Sequence, residues 1–545
     1  MSSRPATAAA AVLLGVLAAL VGALILRTGV TYDESAYAAM GPIFLTGRPG
    51  ALAREYPPLP SYARGLALLP LKPSLPRPVA GREKEALNPN DYGQLFLFRN
   101  RAAPAALLRA ARLPSLALAL LLALLIWSWG KSLGGPGAAG AALLLLVFEP
   151  NLLAHGSLAT TDLFVAAFSC AAIWAWAGYL KGEKASAAWA AGAAAGAAIA
   201  SKATGLILLP AFAFSLAWCG KRRFGGLFRA AAAAGGVTAA LYAPIGLSGF
   251  TEMLAFRSGE MGRVSPSYFF GAAYDSAHAF YIPGMLLVKT TIPLLVLSFW
   301  GALKLRKDHP EDFRAASAAL AALLFAALLR RTPFGIRHFL MFYPLLCLAA
   351  GTAAAYLWKS RPGLVTGLLA FHVFSSMAAF PFPLAYFNEL AGGPRNGRNI
   401  LGDSNLDWGQ SLPELRNFVQ KNPGGLILSY YGKDCPREYG LDFQEAFSTP
   451  GLCPGSSDGL LPGVIDKEWL AVSATKWQGF YESGPPAWGW LRSRKPFKVL
   501  GYSILIYDVT KDSAAHLELS RMYVRAGRPQ AAARELVRSQ TISSN

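Results

Sequence analysis

Apolar stretches follow one another along most of this chain, and most of them approach the length that crosses a bilayer. A transmembrane helix needs roughly 17 to 25 predominantly apolar residues. Charge-poor runs near that length occupy residues 6–26, 113–130, 133–150, 163–180, 185–201, 203–219, 230–249, 284–303, 315–329, 339–357 and 363–382. The pattern therefore predicts an α-helical polytopic membrane protein with about eleven transmembrane helices.

The pattern changes after residue 382, where apolar runs become short and charged residues frequent. GLILSYYG, WLAVSATK and KVLGYSILIYDV predict short strands, and SLPELRNFVQKN predicts a helix. We therefore expect a membrane domain over 1–382, with outer loops at 28–112 and 250–283, followed by a mixed α/β domain over 383–512.

The last residues, 513–545, predict two amphipathic helices joined at AGRP, similar to one tetratricopeptide unit. A single unit is too short to form a repeat domain of its own. We expect a helical hairpin that packs on the preceding domain, and a tail that binds a protein partner is the alternative.

Composition supports a membrane protein, because 54% of the 545 residues are hydrophobic and only 15% are charged. A cytoplasmic N-terminus leaves most loop cations inside, as the positive-inside rule requires. Those cations are Arg4, Lys131, Lys181, Lys184, Lys221, Arg222, Arg223, Arg229, Lys304, Arg306, Lys307, Arg314, Lys359 and Arg361. We expect a multi-pass protein of the plasma (inner) membrane with an extracytoplasmic C-terminal domain, whose net charge of +20 does not indicate nucleic-acid binding.

Several charged side chains lie at the opposite, outer ends of the predicted spans, where a charge close to lipid is costly. They are Asp33 and Glu34 after the first span, Asp162 before the fourth, Lys202 between the fifth and sixth, and Arg330, Arg331, Arg337 and His338 before the tenth. Headgroup contact, a snorkelling lysine or a helix-end ion pair would explain any one of them. Together they predict a site at the outer membrane face.

Carboxylates beside several cations suit a phosphorylated lipid, since guanidinium and ammonium groups are the usual partners of phosphate. If the lipid phosphate carries a sugar, the phosphate leaves as an anion and needs no general acid. One base that deprotonates an acceptor hydroxyl is then sufficient, with cations stabilising the departing phosphate.

An ordered set of short motifs resembles the GT-C superfamily of polyprenyl-phosphate-sugar glycosyltransferases, in the branch of protein O-mannosyltransferases and lipid A aminoarabinose transferases. The motifs are YDESAY, YPPLPSY, RLPSL, TTD, SKATGLILLP and GIRHFLMFYPLL, spread over about residues 10–385. The resemblance implies a GT-C fold and an inverting hexosyl or pentosyl transferase that works on the outer membrane face. A polyprenyl-phosphate sugar would be the donor cosubstrate, and a protein, a lipid or an envelope glycan the acceptor.

The resemblance also implies roles for individual residues. Asp33 would be the catalytic base, and Glu34 would orient the acceptor or the base. Lys202 and Arg337 would hold the lipid phosphate, and Asp162 would line the acceptor or sugar side. Asp33, Glu34 and Asp162 could bind a divalent cation together, although the mechanism does not require one.

The chain departs from the family at its Pro-Pro motif, which usually follows His or Lys. Here Tyr56 precedes Pro57-Pro58, so a cationic contact to phosphate is missing. Lys289 or Arg331 could replace it. The role of His338 stays open, because relatives carry His or Tyr at that place.

Two features of the outer C-terminal region have more than one interpretation. DSNLDWGQ, residues 403–410, could form a divalent-ion loop, but we favour a capped turn that fixes the domain against the membrane. Cys435 and Cys453 lie where a disulfide is permitted, and two free thiols are the alternative. Cys170, Cys219 and Cys347 are expected to be packing residues.

Two other classes of function compete with a transferase. A transporter or lipid flippase would need ionisable groups near mid-membrane or broken helices in two matching halves, whereas the charges found here gather at one face. A membrane-anchored interaction protein would act through its outer domain and tail. An oligosaccharyltransferase is disfavoured, since a WWD-type acceptor motif is missing from the sequence.

Overall fold

The structure is a computed structural model that describes residues 3–47, 50, 55–76, 88–220, 224–276, 279–329, 335–450, 461, 466–482 and 486–544. Its membrane region is helical. The helices are α1 (Ser3–Arg27), α2 (Glu34–Leu45), α3 (Pro58–Leu68), α4 (Pro89–Phe98), α5 (Pro104–Val147), α6 (Pro150–Gly156), α7 (Asp162–Gly182), α8 (Ala185–Ile199), α9 (Leu208–Trp218), α10 (Gly225–Tyr242), α11 (Ser248–Met261), α12 (Tyr281–Lys289), α13 (Ile292–Asp308), α14 (Pro310–Leu328), α15 (Phe342–Trp358) and α16 (Pro362–Ala379).

Each predicted span contains helix, and four helices are long and apolar enough to cross a bilayer unaided: α1, α5, α7 and α16. Two bent pairs, α10 with α11 and α12 with α13, bring the number to as many as six in the described part of the chain. Shorter apolar helices include α8, α15 and the stretch that ends in α9. The chain is therefore an α-helical polytopic membrane protein, as predicted.

Helix α5 contains the second and third predicted spans, which meet at a break. Gly134 and Gly135 leave helical geometry, and Gly135 takes a φ of 72° that favours glycine. A Cβ on Gly130 would lie 2.8 Å from the Cα of Ala139, a proximity that a straight helix does not allow. The two halves of α5 therefore form a hairpin, with the turn close to the predicted loop at Lys131.

The eighth predicted span, 284–303, is wrong as a single helix. Helices α12 and α13 bend by 108° at their junction, where Thr290 is extended with φ −105° and ψ 137°. Pro293 lies in the first turn of α13, where its missing N–H costs nothing. The hydropathy of the segment is continuous across the bend, so hydropathy alone could not reveal it.

Small residues allow close helix contact in the membrane region, as expected for packed membrane helices. Gly192 and Gly196 of α8 face α10, and a Cβ on Gly192 would lie 2.2 Å from the carbonyl oxygen of Ala230. A Cβ on Gly196 would lie 2.6 Å from the carbonyl oxygen of Ala234. The backbones of α8 and α10 therefore touch along this seam.

Two short strands, β1 (Ser267–Phe269) and β2 (Ala272–Tyr274), form a hairpin in the segment 250–283. The C-terminal region adds β3 (Gly425–Ser429), β4 (Gln444–Glu445), β5 (Glu468–Ser473), β6 (Lys498–Leu500) and β7 (Ile504–Asp508). These five strands form one sheet in the order β4-β3-β5-β7-β6. β3 is parallel to β4 and β5, and β7 is antiparallel to β5 and β6.

Helices α17 (Leu412–Lys421) and α18 (Ala474–Gln478) accompany the sheet. Leu412, Leu415 and Phe418 of α17 are buried against strand residues. The strands and helix predicted from the C-terminal sequence are therefore present as a mixed α/β unit.

The tail forms α19 (Ser513–Arg525) and α20 (Pro529–Ser544), which pack on the sheet through buried charges. Glu468 of β5 is fully buried and pairs with Arg534 and Arg538. His516 Nδ1 lies 2.6 Å from Glu535 Oε2. The tail is thus a helical hairpin docked on its own domain.

Candidate functional site

Five predicted site residues form one continuous chain of polar contacts. Arg337 Nη1 lies 3.0 Å from Asp33 Oδ2 and 3.9 Å from Asp162 Oδ2. Lys202 Nζ donates a hydrogen bond to Asp162 Oδ1 and lies 3.3 Å from His338 Nδ1. The structure therefore brings together groups that are up to 305 positions apart in the sequence, and we call this set the ionic cluster.

Local structure explains how each member of the ionic cluster is presented. Asp33 immediately precedes α2, and Asp162 is the first residue of α7, where the positive end of a helix favours a carboxylate. Lys202 follows α8 in extended conformation, with φ −167° and ψ 140°. Arg337 and His338 belong to a 3-10 turn over Ile336–Phe339. The sequence thus places four helix ends at one face.

Burial makes the electrostatics of the ionic cluster strong. Asp162 is fully buried, whereas 29% of the Asp33 side chain is exposed. Burial lowers the pKa of Lys202, and the neighbouring Asp162 carboxylate opposes that shift. For Arg337, burial is outweighed by the Asp33 and Asp162 carboxylates, which hold its pKa above the ordinary value. Arg337 therefore stays charged between two carboxylates.

An apolar cavity of about 440 Å³ opens on one side of the ionic cluster. Its cationic end carries Lys202, Arg257 and His338. The remaining walls are largely apolar and come from residues such as Leu254 and Leu323. This cavity can hold a hydrocarbon chain with an anionic head.

A polar cavity of about 410 Å³ opens on the other side. Asp33 and Arg337 line its floor, and residues of the C-terminal region supply most of the wall. Those residues are Asp403, Trp408, Tyr431, Thr449, Pro450, Thr475, Lys476, Gly479, Tyr481 and Glu482. The ionic cluster therefore lines both cavities, with Lys202 and His338 in the apolar one and Asp33 and Arg337 in the polar one.

Glu34 differs from its neighbour Asp33, because it is fully buried and lines neither cavity. Its carboxylate accepts two hydrogen bonds from Arg112, at 2.8 and 2.7 Å, and one from Ala159 N at 2.7 Å. Burial alone would raise the pKa of Glu34, but Arg112 holds it below the usual value. This arrangement suits a residue that fixes the Asp33 segment to the start of α5.

The structure leaves the other predicted binding residues outside the ionic cluster. Lys289 is fully buried and donates to the carbonyl oxygens of Leu384, at 2.9 Å, and Asn405, at 2.7 Å. Its ammonium is thus engaged by backbone and lies on neither cavity wall. Tyr56 is buried with its ring against Tyr37, at a centroid distance of 5.3 Å.

Arg331, Arg330 and Cys453 lie outside the described residues, so their predicted roles stay predictions. Cys435 is disulfide-bonded. Among the other cysteines, Cys170 and Cys347 are buried in the helical region.

Sequence reasoning missed Arg257, which lies on α11. Arg257 Nη2 donates to the carbonyl oxygen of Glu55 at 2.9 Å. Glu55 directly precedes Tyr56, the position where the family usually has a cation. Arg257 also lines the apolar cavity. A cation in the loop 250–283 was the available signal, but nothing in the sequence links it to the Pro-Pro motif.

DSNLDWGQ joins the C-terminal domain to the ionic cluster. Trp408 packs on Arg337, with the guanidinium carbon 4.2 Å from a ring centroid. Asp407 accepts a hydrogen bond from Thr475 N at 2.9 Å, and Asn405 Oδ1 accepts one from Ile336 N at 2.8 Å. Asp407 thus bonds the start of α18, whereas α17, the helix that follows the segment, has no side-chain cap. The segment also carries Asp403 and Trp408 into the polar cavity.

Asp33, Glu34 and Asp162 are the residues that the sequence suggests as possible ligands of a divalent cation. Arg337 lies between the carboxylates of Asp33 and Asp162, and the Glu34 carboxylate forms an ion pair with Arg112. Within the described ranges, no group of three or more His, Cys, Asp or Glu side chains is arranged to hold a metal ion.

Comparison with known families confirms the resemblance drawn from the motifs. Residues 106–245 match the family described as dolichyl-phosphate-mannose-protein mannosyltransferase, which is about a quarter of the chain. The matched segment includes Arg112, Asp162 and Lys202. No curated protein matches the chain.

Two solved structures are similar to this chain at low identity. ArnT from Cupriavidus metallidurans bound to undecaprenyl phosphate matches with a TM-score of 0.46 and 13% identity, over 93% of this chain and 98% of that one. The Archaeoglobus fulgidus oligosaccharyltransferase in the apo form matches with a TM-score of 0.44 and 12% identity, over 68% of this chain. This chain covers only 54% of the length of that archaeal protein.

Proposed function

We propose that this protein is an inverting membrane glycosyltransferase that moves a sugar from a polyprenyl-phosphate donor to an acceptor hydroxyl at the outer membrane face. One observation carries the proposal: an ionic cluster with a partly exposed carboxylate lines both an apolar cavity and a polar one. The family match over residues 106–245 supports the same class of reaction.

The apolar cavity suits the donor lipid. Its hydrocarbon-like walls match a polyprenyl chain, and Lys202, Arg257 and His338 stand at the end where the phosphate would lie. Arg257 supplies the cation that Tyr56 does not, because it is held beside the Pro-Pro motif. Guanidinium and ammonium groups stabilise the negative charge that grows on a departing phosphate.

Asp33 is the base in this proposal. It is the partly exposed carboxylate of the ionic cluster and borders the polar cavity. Arg337 Nη1 contacts the Asp33 carboxylate at 3.0 Å and orients it at the edge of the polar cavity. Asp33 takes the acceptor hydroxyl proton, the acceptor oxygen bonds to the anomeric carbon, and the bond from that carbon to the phosphate oxygen breaks. Polyprenyl phosphate leaves with the electron pair, so the anomeric configuration inverts.

The proposed orientation follows from the positive-inside rule. The cation-rich loops would face the cytoplasm of a cell bounded by a plasma (inner) membrane. The cavities and the C-terminal domain would then face outward, where both the lipid-linked donor and the acceptor could reach Asp33.

Replacement of Asp33 by Asn tests the proposal. We expect transfer from a radiolabelled polyprenyl-phosphate hexose, measured in membranes that contain the natural acceptors, to fall by about 10²–10⁴-fold, as for the loss of a general base. Asp91→Asn is the matched control, since Asp91 is another outer aspartate that pairs with a lysine, Lys433, at 3.2 Å. Asp91→Asn should keep transfer within about twofold, because Asp91 lines neither the apolar nor the polar cavity. Equal loss in both variants, or full transfer in Asp33→Asn, would refute Asp33 as the base.

A further inference from the structure

Three tyrosines form a stacked row along the wall of the polar cavity. Tyr32 and Tyr431 have ring centroids 5.3 Å apart with an interplanar angle of 29°. Tyr431 and Tyr481 follow at 6.0 Å and 12°. Tyr481 ends the row and is 48% exposed. Phe480 also contacts the Tyr481 ring, at 4.3 Å between centroids and an angle of 36°, so the row presents the exposed part of Tyr481 as an aromatic surface to the cavity.

Polar groups stand beside this aromatic surface. Asp403 has a φ of 54° in the DSNLDWGQ turn, and its Oδ1 accepts a hydrogen bond from Tyr431 OH at 2.9 Å. The Tyr481 hydroxyl is also hydrogen-bonded to Asp403. A carboxylate has about four lone-pair positions, so Asp403 keeps capacity for donors beyond these two tyrosines. Lys476 and Glu482 line the same cavity and add one donor group and one acceptor group.

A flat aromatic surface edged by carboxylates is complementary to a sugar ring. The C–H face of a pyranose is apolar and packs on an aromatic face, while its ring of hydroxyls donates to carboxylates. A volume of about 410 Å³ lies in the range of ligand sites. The C-terminal domain provides most of this wall, whereas Asp33 and Arg337 belong to the membrane region.

We propose that the polar cavity binds a carbohydrate acceptor, stacked on Tyr481 and hydrogen-bonded to Asp403, so that the enzyme extends a glycan. This inference rests on the proposed glycosyltransferase function and names its acceptor class. The acceptor hydroxyl of the bound sugar would give its proton to Asp33, and the new bond would be glycosidic. A protein acceptor is the competing outcome.

Direct acceptor binding tests the inference without donor turnover. The full chain in lipid nanodiscs is titrated calorimetrically with tetrasaccharides of glucose, N-acetylglucosamine, mannose or galactose, and with unglycosylated Ser/Thr-rich peptides. We expect a tetrasaccharide to bind and the peptides not to bind. Tyr481→Ala should weaken saccharide binding by about tenfold or more through loss of the stacking surface, whereas Tyr481→Phe should stay within about threefold.

Phe497→Ala is the matched control, because Phe497 is a 59% exposed aromatic residue of the same domain that does not line the cavity. It should bind saccharide like the wild type. Peptide binding that depends on Tyr481, saccharide binding unchanged by Tyr481→Ala, or no binding of any tetrasaccharide would each overturn the inference. Release of polyprenyl phosphate from the donor in the same nanodiscs reports on the proposed function separately, so the two failures are distinguishable.

Discussion

Adjacent carboxylates can have opposite surroundings. Asp33 borders a cavity, whereas Glu34 is fully buried against Arg112. The sequence revealed the acidic pair and its position at a span end. It could not separate the two roles, because the partner of Glu34, Arg112, lies 78 positions away on α5.

His155 on α6 is a buried titratable residue near the ionic cluster, and sequence reasoning did not single it out. Neither ring nitrogen has a hydrogen-bond partner, and the ring lies against Trp408 at 6.4 Å between centroids. Burial lowers the pKa of His155 to about 4 from an ordinary 6.5. The folded protein therefore keeps His155 neutral where the unfolded chain protonates it.

This difference predicts acid sensitivity. Between pH 6.5 and 4 the unfolded state binds more protons at His155, so the free energy of unfolding falls as the pH drops. His155→Phe should remove up to about 3 kcal/mol of that fall, measured by thermal unfolding in detergent at pH 7 and pH 4. His309→Phe, at a partly exposed position between α13 and α14, is the control. An unchanged pH dependence in His155→Phe would contradict the prediction.

At the scale of elements, the α8–α10 seam makes glycine necessary for contact between backbones. Gly192→Ala would bring a Cβ to 2.2 Å from the carbonyl oxygen of Ala230. We expect the helices to separate locally and the protein to lose about 1–3 kcal/mol of stability, as for overpacking. The measurement is the thermal midpoint in detergent, with hydrogen exchange over α8 and α10 to locate the change.

Gly235→Ala on α10 is the matched control for the seam. Gly235 has no atom within 4 Å of an added Cβ, so alanine should be neutral or slightly stabilising through its helix propensity. Equal destabilisation by both substitutions would mean that helix propensity or lipid contact causes the loss of stability, and not the contact between the α8 and α10 backbones.

The elements show where sequence patterns are informative. Strands β3, β5 and β7 and helix α17 follow the apolar runs that predicted them, because those runs are bounded by turn residues. The bend between α12 and α13 and the strands β1 and β2 were missed. Each depends on packing between distant segments, such as the contact of Phe269 with Leu401, which no local pattern carries.

At the scale of the whole molecule, the tail is part of the C-terminal domain. Truncation after residue 512 would remove Arg534 and Arg538, the partners of Glu468, together with the helices that cover this carboxylate. Because the sheet loses the surface on which α19 and α20 pack, we expect the truncated protein to expose the sheet to limited proteolysis. Arg521→Ala removes only an exposed ion pair with Glu518 and should leave the protease resistance unchanged. A protease-resistant sheet in the truncated protein would disprove this role of the tail.

The sequence was most informative about which charged residues lie together at one face, and least informative about the cavities that they line. Asp33, Asp162, Lys202, Arg337 and His338 could be grouped because charges at span ends are costly near lipid. The two cavities could not be foreseen, since their walls combine α11, the turn before α15 and the C-terminal domain. Lys289 was predicted to contact phosphate, but its ammonium donates to the carbonyl oxygens of Leu384 and Asn405. The sequence could not show this, because both partners belong to a distant segment.

The division of the cavity walls between two regions has a practical consequence for engineering. All residues proposed to bind the lipid come before residue 340, whereas Tyr431 and Tyr481 belong to the C-terminal domain. A chimera that keeps residues 1–410 and grafts 411–545 from a homologue would therefore exchange recipients without changing the donor. In such hybrids the C-terminal domain would be an exchangeable module that selects the acceptor of the sugar.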